Sequence, residues 1–485
     1  MERTVSTENE RKMLKAHPYA IIRHLRISVV LIILSVIQQF LYRPQNILEI
    51  IGSLGINALY VLFSVSYAVT LYQNFKYRIE RDKIMLHSGV FIQKYFRIPF
   101  EKVCTVIFYR DIFSALFGAE KISLDTPADS RKKFDVSAYI SVRRARESLH
   151  AAESKYQITS HYHSGMISIF LMSAFWSNPL TGLIFIVPVI HSIGQIIGSE
   201  MTGALVRGSI NTQSNFWMKY ISPAAATLIA VILLSWVISL MLSFLRYVRF
   251  HSYRLGEFIV IFRGFPSRSI TMTKVSELAS VNVDQSLLMK ILRLKSCSLS
   301  VIGSGKLKGD RGLIISPEKN KNVYQKMKEL TGICTEEMQK VGVAKKSWFA
   351  YIYPVIISLL IPLGFFMLRG VFPRFKETTG LLGTISLFVI GWWFLFRIFA
   401  YRSSYLAVNR ECLIVCGFRK LTMRKHYIKL NKIQKIEIQQ SIFQRISGKC
   451  NIKVYVYFEK RNVCRVKQLP LKQTAKLLKE MELLY

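Results

Sequence analysis

Only a few short stretches of the sequence carry residue types that could bind a ligand. Residues 303–306 read Gly-Ser-Gly-Lys, and glycines followed by lysine are typical of loops that hold phosphate. The stretch lacks the Gly-x4-Gly-Lys-Ser/Thr spacing of such loops and lies between strand-like segments. We therefore interpret it as a hairpin turn, in which the glycines supply the positive φ angles.

Three histidines are candidates for metal binding or proton chemistry. His161 and His163 fall on one side of an extended segment, as a metal site requires, but no third ligand follows at a useful spacing. We therefore favour histidines beside a membrane interface. His191 lies within the apolar run 180–197, where an ionisable side chain at membrane depth would be a functional candidate. If this run lies at the interface instead, that argument fails, and both interpretations remain open.

A cluster of four basic residues follows Gly417. It consists of Arg419, Lys420, Arg424 and Lys425. We predict that these four side chains contact anionic lipid, since each Lys or Arg near an anionic leaflet contributes about 1 kcal/mol. General attraction to the leaflet is favoured over a specific headgroup pocket.

No pattern of catalytic residues is present, so we predict that the chain is not an enzyme and binds no cofactor or metal. The seven cysteines form no CxxC and no Cys/His zinc spacing, and most lie in apolar, strand-like runs. We interpret them as reduced, buried thiols on a cytosolic face. The N-terminal segment is polar, so we do not predict a cleaved signal peptide.

The composition indicates a membrane protein with basic soluble parts. The 485 residues are 51% hydrophobic, and the formal net charge is +38. Both nucleic acid and an anionic membrane surface attract such a chain. The long uncharged runs favour the membrane, and no aromatic-basic motif for nucleic acid stands out. We therefore predict an anionic phospholipid bilayer as the partner, and no nucleic acid.

Uncharged runs alternate with charged segments along the chain. The predicted order is a basic N-terminus (1–26), a transmembrane hairpin (27–75), a soluble unit (76–152), a second transmembrane region (156–245), a second soluble unit (246–346), a third hairpin (347–396) and a last soluble unit (397–485). Asn178-Pro179 breaks the uncharged run 156–199, which is either one span with an interfacial helix or a broken helix. The excess of Lys and Arg predicts that the N-terminus and soluble units are cytoplasmic.

The soluble units repeat one pattern. Tyr77 and Tyr405 each stand twelve residues before a glycine, Gly89 and Gly417. The segments 102–118 and 432–448 also match in spacing, and a looser third copy begins at Tyr253. Within these units, basic residues outnumber acidic ones by 15 to 9, 19 to 8 and 20 to 5, in chain order. Repetition on this scale indicates an array of one structural unit.

These repeats resemble the bacterial pleckstrin-homology (PH) domain of the membrane-flanked, YdbT-like type. The resemblance rests on Tyr77-Arg-Ile-Glu, Gly89, the strand starts at Lys102 and Lys432, and the strand ends Arg110-Asp-Ile-Phe and Gln440-Ser-Ile-Phe. It implies three PH-like domains, each a bent antiparallel sheet capped by a C-terminal helix. Together with the hairpins it predicts a multi-pass α-helical membrane protein with three α+β PH-like domains. In eukaryotic PH domains the loop comparable to the basic cluster after Gly417 holds lipid headgroups.

The resemblance also suggests roles in a bacterial plasma membrane. Proteins with these domains are associated with bacteriocin immunity and envelope-stress loci, so protection against membrane-active peptides is the first hypothesis. The alternative is a scaffold or accessory subunit whose sheets pair edge to edge with a second PH-domain membrane protein or an ABC-type transporter, assisting bacteriocin export. A transporter is the third hypothesis, because of the broken segment and the internal repeats. An oligomer remains open.

Overall fold

The folded part of the chain combines antiparallel sheets with helices. A computed structural model describes residues 13–25, 47–79, 83–127, 134–177, 223–301, 312–372, 376–409, 411–419, 422–456 and 462–481. The described strands are arranged in four antiparallel sheets.

The prediction of a multi-pass α-helical membrane protein is wrong, although the PH-like sheets fit. Among the described residues, two helical stretches, Trp348–Val371 and Thr378–Ser403, are long and apolar enough to cross a membrane. The described part of another uncharged run forms the 11-residue helix Met166–Trp176. At 1.5 Å per residue it spans only about half of a bilayer core. An uncharged run predicts removal from water, but it does not fix the length of continuous helix.

Each repeat contributes one four-stranded and one three-stranded half-sheet. The four-stranded halves are β1 (Leu14–Lys15), β2 (Lys76–Ile79), β3 (Lys83–Ser88) and β4 (Lys94–Pro99); β8 (Ile158–His163), β9 (His251–Leu255), β10 (Phe258–Arg263) and β11 (Arg268–Lys274); and β15 (Gln339–Gly342), β16 (Tyr405–Val408), β17 (Cys412–Arg419) and β18 (Thr422–Lys429). The three-stranded halves are β5 (Thr105–Arg110), β6 (Ala119–Asp125) and β7 (Val136–Ser141); β12 (Leu278–Ser286), β13 (Leu294–Val301) and β14 (Leu313–Lys319); and β19 (Ile433–Gln439), β20 (Lys449–Val456) and β21 (Asn462–Pro470).

The helices occupy equivalent places in the repeats. They are α1 (Ile47–Asn74), α2 (Ile112–Leu116), α3 (Val142–Lys155), α4 (Met166–Trp176), α5 (Pro223–Tyr247), α6 (Leu287–Ile291), α7 (Asn320–Thr331), α8 (Trp348–Ser358), α9 (Leu360–Val371), α10 (Lys376–Ser403), α11 (Ile442–Ile446) and α12 (Leu471–Lys479). Helices α3, α7 and α12 follow the three-stranded halves, and the five-residue helices α2, α6 and α11 join the first two strands of each. Apolar helices separate the first strand of each four-stranded half from the second, so a repeat begins before its membrane segment. The predicted limits of the soluble units stay predictions.

Neighbouring repeats share continuous sheets. The last strand of a four-stranded half pairs with the first strand of the preceding three-stranded half, giving β5·β11 and β12·β18. The two sheets have the strand orders β7-β6-β5-β11-β10-β9-β8 and β14-β13-β12-β18-β17-β16-β15. The sheet β1-β2-β3-β4 therefore ends at β4, and the sheet β19-β20-β21 ends at β19.

The core of the third repeat follows from strand periodicity. Alternate residues of β20 are buried, from Cys450 to Val456, because successive side chains point to opposite faces of a strand. They pack with Leu477 and Leu478 of α12 in one apolar cluster. Burial of each such side chain contributes about 1.5–3 kcal/mol, so the helix is held against the sheet.

The chain forms two compact units. The first contains described residues from 1–159, 255–260 and 266–277, and the second contains those from 160–254, 261–265 and 278–485. Several sequence predictions lie outside the described residues: the 303–306 turn, His191, the break at Asn178-Pro179, and residues 27–46 of the first predicted hairpin.

Candidate anion site at the end of helix α10

Helix α10 ends at the sheet of the third repeat. Its last two turns carry Arg397 and Arg402, where cations favour both the helix C-terminus and a membrane interface. The rings of Phe396 and Phe399 lie 5.1 and 5.2 Å from the ring of Phe418 on β17. These edge-on contacts fix the helix end against the strand.

A cavity of about 440 Å³ lies beside this helix end. None of its described lining residues is acidic, whereas five carry basic side chains. The basic residues are Arg397 from α10, Arg424 and His426 from β18, and Arg465 and Lys467 from β21. A cavity with this lining attracts anions, and its size is in the usual range for small-molecule sites.

Arg397 is poised to bind an anion. Its guanidinium carbon lies 5.7 Å from the ring centroid of Trp393 and 6.0 Å from that of Tyr351. The hydroxyl of Tyr351 donates to the carbonyl of Lys467, 3.1 Å away, and so ties α8 to β21. The Nε of Arg397 is buried, and no described group accepts a hydrogen bond from it. An unmet buried donor costs about 1–3 kcal/mol, and an anionic oxygen would remove that cost.

Arg424 is already neutralised. Its Nε and Nη2 lie 2.5 and 2.9 Å from the two carboxylate oxygens of Asp284, opposite it on β12. Burial works against the charged form of Arg424, but Asp284 raises the pKa of this guanidinium. By contrast, no described acidic side chain pairs with Arg397, Arg465 or Lys467. Those three residues therefore supply the uncompensated positive charge of the cavity.

A second basic cavity, of about 290 Å³, lies on the other side of β18 and contains its own counterion. Lys425 Nζ lies 3.2 Å from Oε1 of Glu337, which also accepts a hydrogen bond from the hydroxyl of Tyr405. Burial would raise the pKa of Glu337, but the Tyr405 hydroxyl and the Lys425 charge lower it. Burial and the bond to Glu337 raise the pKa of Tyr405. Glu337 thus stays ionised at neutral pH and offsets the positive charge of Lys425. The first cavity, whose described lining has no acidic residue, is therefore the better anion site.

The structure does not bring the four predicted lipid-contacting residues together. Arg424 and Lys425 are consecutive on β18, and they reach different cavities and different carboxylates. The side chains of Arg419 and Lys420 lie outside the described parts of the chain. Contact of these four residues with lipid stays a prediction.

Sequence reasoning missed Arg397, Arg465 and Lys467. Arg465 and Lys467 alternate with the buried residues Cys464 and Val466 on β21, so their exposure on one strand face could have been predicted. Their position beside Arg397 depends on how the sheets pack, which the sequence does not reveal.

The two histidines of β8 meet a third histidine from the neighbouring strand. The rings of His161 and His163 lie 6.0 and 6.3 Å from that of His251 on β9. His251 in turn stacks on Phe262 at 4.6 Å. Among the described residues, no group of three His, Cys, Asp or Glu side chains is arranged to hold a metal ion. The three rings lie side by side on neighbouring strands, and that of His251 stacks on Phe262.

The five-residue helices expose large apolar side chains in every repeat. Asp111, Ser286 and Ser441 cap their N-termini by accepting a hydrogen bond from the third helical residue. That residue is buried, and the outward positions are apolar: Ile112, Phe113 and Leu116; Leu288 and Ile291; Ile442, Phe443 and Ile446. Those of α11 are 79–83% exposed. Repeated apolar patches of this kind mark contact with a membrane or a protein.

The repeats match a known family. The bacterial PH domain profile matches residues 24–156, 202–341 and 358–483. The chain belongs to the bacterial PH domain family. This confirms the family resemblance on which the fold was predicted, and the matched segments include the apolar helices α1, α5 and α10 as well as most of the strands. Proteins of this family are generally not enzymes.

One curated relative supports the membrane location. The chain is 19% identical over 465 residues to the UPF0699 transmembrane protein YdbT of Bacillus subtilis (strain 168), covering 89% of this chain and 90% of that protein. Together with the two long apolar helices, this indicates that the family member described here is a membrane protein. No solved structure matches the chain.

Proposed function

We propose that this chain is a non-enzymatic membrane protein that holds cytoplasmic PH-like units against the anionic inner leaflet of a bacterial plasma membrane. The cavity at the end of α10 carries this proposal, because its uncompensated basic residues lie where an apolar helix ends. Lipid phosphates are concentrated at that depth of a bilayer. Arg397 supplies the unmet donor, and Arg465 and Lys467 supply further charge.

The ligand chemistry is that of a phosphate, carried either by a lipid headgroup or by a free anion. Native mass spectrometry of the delipidated full-length protein separates the two sources. Phosphatidylglycerol, phosphatidylcholine and inorganic phosphate are titrated in turn. We expect phosphatidylglycerol to bind most tightly, and Arg397→Gln to weaken its binding about tenfold, a loss typical of one charge-assisted hydrogen bond.

The matched control is Arg143→Gln. Arg143 is exposed on α3 and pairs with Glu147, so its replacement should not affect lipid binding. Equal binding of phosphatidylglycerol by the Arg397 variant and by the unaltered protein would disprove the lipid site. Tight binding of inorganic phosphate with no preference for the lipid would identify a soluble anion as the ligand.

Two narrower roles build on this location. The family resemblance supports protection of the membrane against membrane-active peptides, including bacteriocins. The assay is killing of a sensitive Gram-positive host by such peptides, with and without this gene alone. Within the described part of the chain, β4 and β19 are edge strands, which instead favours a scaffold or accessory subunit that pairs with a partner. Protection by the gene alone supports the first role, and protection only beside a partner protein supports the second.

A further inference from the structure

The two pairings between repeats have the same register. In the first, Val106 on β5 faces Met272 on β11, and in the second, Val281 on β12 faces Tyr427 on β18. Val106 and Val281 each stand five residues before the residue that caps the following short helix. Met272 and Tyr427 each stand three residues before a 3-10 turn. Both contacts therefore have the same register, measured from the helix cap on one strand and from the 3-10 turn on the other.

Among the described strands, two have a neighbour on one side only. By position, β4 is equivalent to β11 and β18, since the 3-10 turn Phe100–Lys102 follows it. Likewise β19 is equivalent to β5 and β12, since Ser441 caps the short helix after it. Both β4 and β19 are edge strands of their sheets. An edge strand presents unpaired backbone N–H and C=O groups that can pair with another chain.

We propose that β19 of one copy of this chain pairs with β4 of a second copy, in the register that the internal contacts use. That register places Ile436 opposite Arg97, Glu437 opposite Phe96 and Ile438 opposite Tyr95. The contact repeats the interface already formed twice within the chain. It is heterologous, so successive copies form a ring or an open row within the membrane.

The two edges are complementary in several respects. Residues 94–97 of β4 are exposed, and Tyr95 is 71% exposed. In the proposed register Glu437 lies diagonally across from Lys94, a distance at which opposite charges attract on a sheet surface. Pro99 lacks a backbone donor and ends the pairing, so Ile98 and Lys435 form its last pair. Charged residues and proline on an edge strand also discourage pairing with unrelated strands.

Disulfide trapping between differently tagged full-length chains tests the register. One chain carries Phe96→Cys and the other Glu437→Cys, and a second set carries Tyr95→Cys and Ile438→Cys. Adjacent pairs in an antiparallel ladder alternate between close and wide spacing, so one set meets the geometry of a disulfide. The chains are co-expressed, and their membranes are treated with a mild oxidant.

The out-of-register control combines Tyr95→Cys with Gln434→Cys. Gln434 lies four residues from Ile438 on the same face, about 13 Å along the strand, beyond the reach of a disulfide. We expect the in-register set with the suitable spacing to give at least ten times more mixed-tag dimer than the control. The thermal unfolding midpoint of each variant verifies that it is folded. Folded variants that give no dimer, or equal dimer in all sets, would overturn the proposal. This outcome does not depend on lipid binding at Arg397.

Discussion

At the scale of single residues, Arg293 occupies a backbone position that suits glycine. Gly118 and Gly448 end the first strand connection of their repeats with φ angles of 64° and 63°, and Arg293 takes the same place with a φ of 54°. A side chain in this left-handed region costs about 1–2 kcal/mol. The second repeat therefore contains a strained residue where its neighbours have none.

We expect Arg293→Gly to stabilise the protein and Gly448→Ala to destabilise it. The gain should be about 0.5–1 kcal/mol, because glycine also increases the entropy of the unfolded chain. No atom lies within 4 Å of a Cβ added at Gly448, so only the φ angle opposes the alanine. Thermal unfolding of the full-length protein in detergent measures both changes. Unchanged midpoints in both variants would show that this turn is not strained.

The predicted basic cluster shows what residue spacing can and cannot reveal. Arg424 and Lys425 were grouped because they are adjacent in sequence, yet adjacent residues of a strand point to opposite faces. Once β18 is recognised as a strand, the sequence itself separates them. The contact to Asp284 depends on pairing with another repeat, and the contact to Glu337 joins residues that are 88 positions apart in the chain. No local pattern contains that information.

At the scale of elements, we expect the short helices α6 and α11 to touch lipid. The Nζ of Lys290 on α6 is 3.3 Å from the ring centroid of Phe399 on α10. Helix α6 therefore lies beside the end of an apolar helix. Helix α11 is its counterpart in the third repeat and exposes Ile442, Phe443 and Ile446. A partly inserted amphipathic element buries such side chains about 5–10 Å into the headgroup region.

Depth-dependent quenching tests this placement of α11. A fluorophore is attached at Phe443→Cys in the full-length protein, in a background in which the half-buried Cys334 is replaced by serine. In vesicles that contain anionic lipid, we expect lipid-borne nitroxides to quench this probe at least three times more than a water-soluble quencher does. Lys472→Cys on the exposed face of α12 is the matched control and should show the reverse. Equal behaviour of the two probes would place α11 away from lipid.

The repeats were predictable from spacing, but their coupling was not. Equal intervals such as Tyr77 to Gly89 and Tyr405 to Gly417 revealed the unit, and the alternation in β20 revealed its sheet. Pairing between repeats joins strands that are far apart in sequence, such as β12 and β18. No local pattern shows whether such a strand pairs with another repeat or stays at a sheet edge. Among the described residues, uncharged length overstated the number of membrane helices for a related reason, since it records hydrophobicity and not continuity.

At the scale of the whole molecule, the shared sheets imply that a single repeat is not a folding unit. The strands β16–β18 pair with β15 on one side and with β12 on the other, and both partners precede residue 397. A fragment of residues 397–485 therefore exposes two unpaired sheet edges. Such edges promote aggregation, and the strands lose the neighbours that stabilise them.

We expect three nested fragments to differ in cooperativity. The fragment 397–485 should aggregate or melt without a sharp transition, 334–485 should recover β15 but not β12, and 278–485 should unfold cooperatively in detergent. Circular dichroism during heating measures each transition. If the shortest fragment melted as sharply and at the same temperature as the longest, the third repeat would be an independent domain. The pairing of β12 with β18 would then be a docking contact between domains that fold independently. The pairing of β4 with β19 between copies would likewise join domains that are already folded.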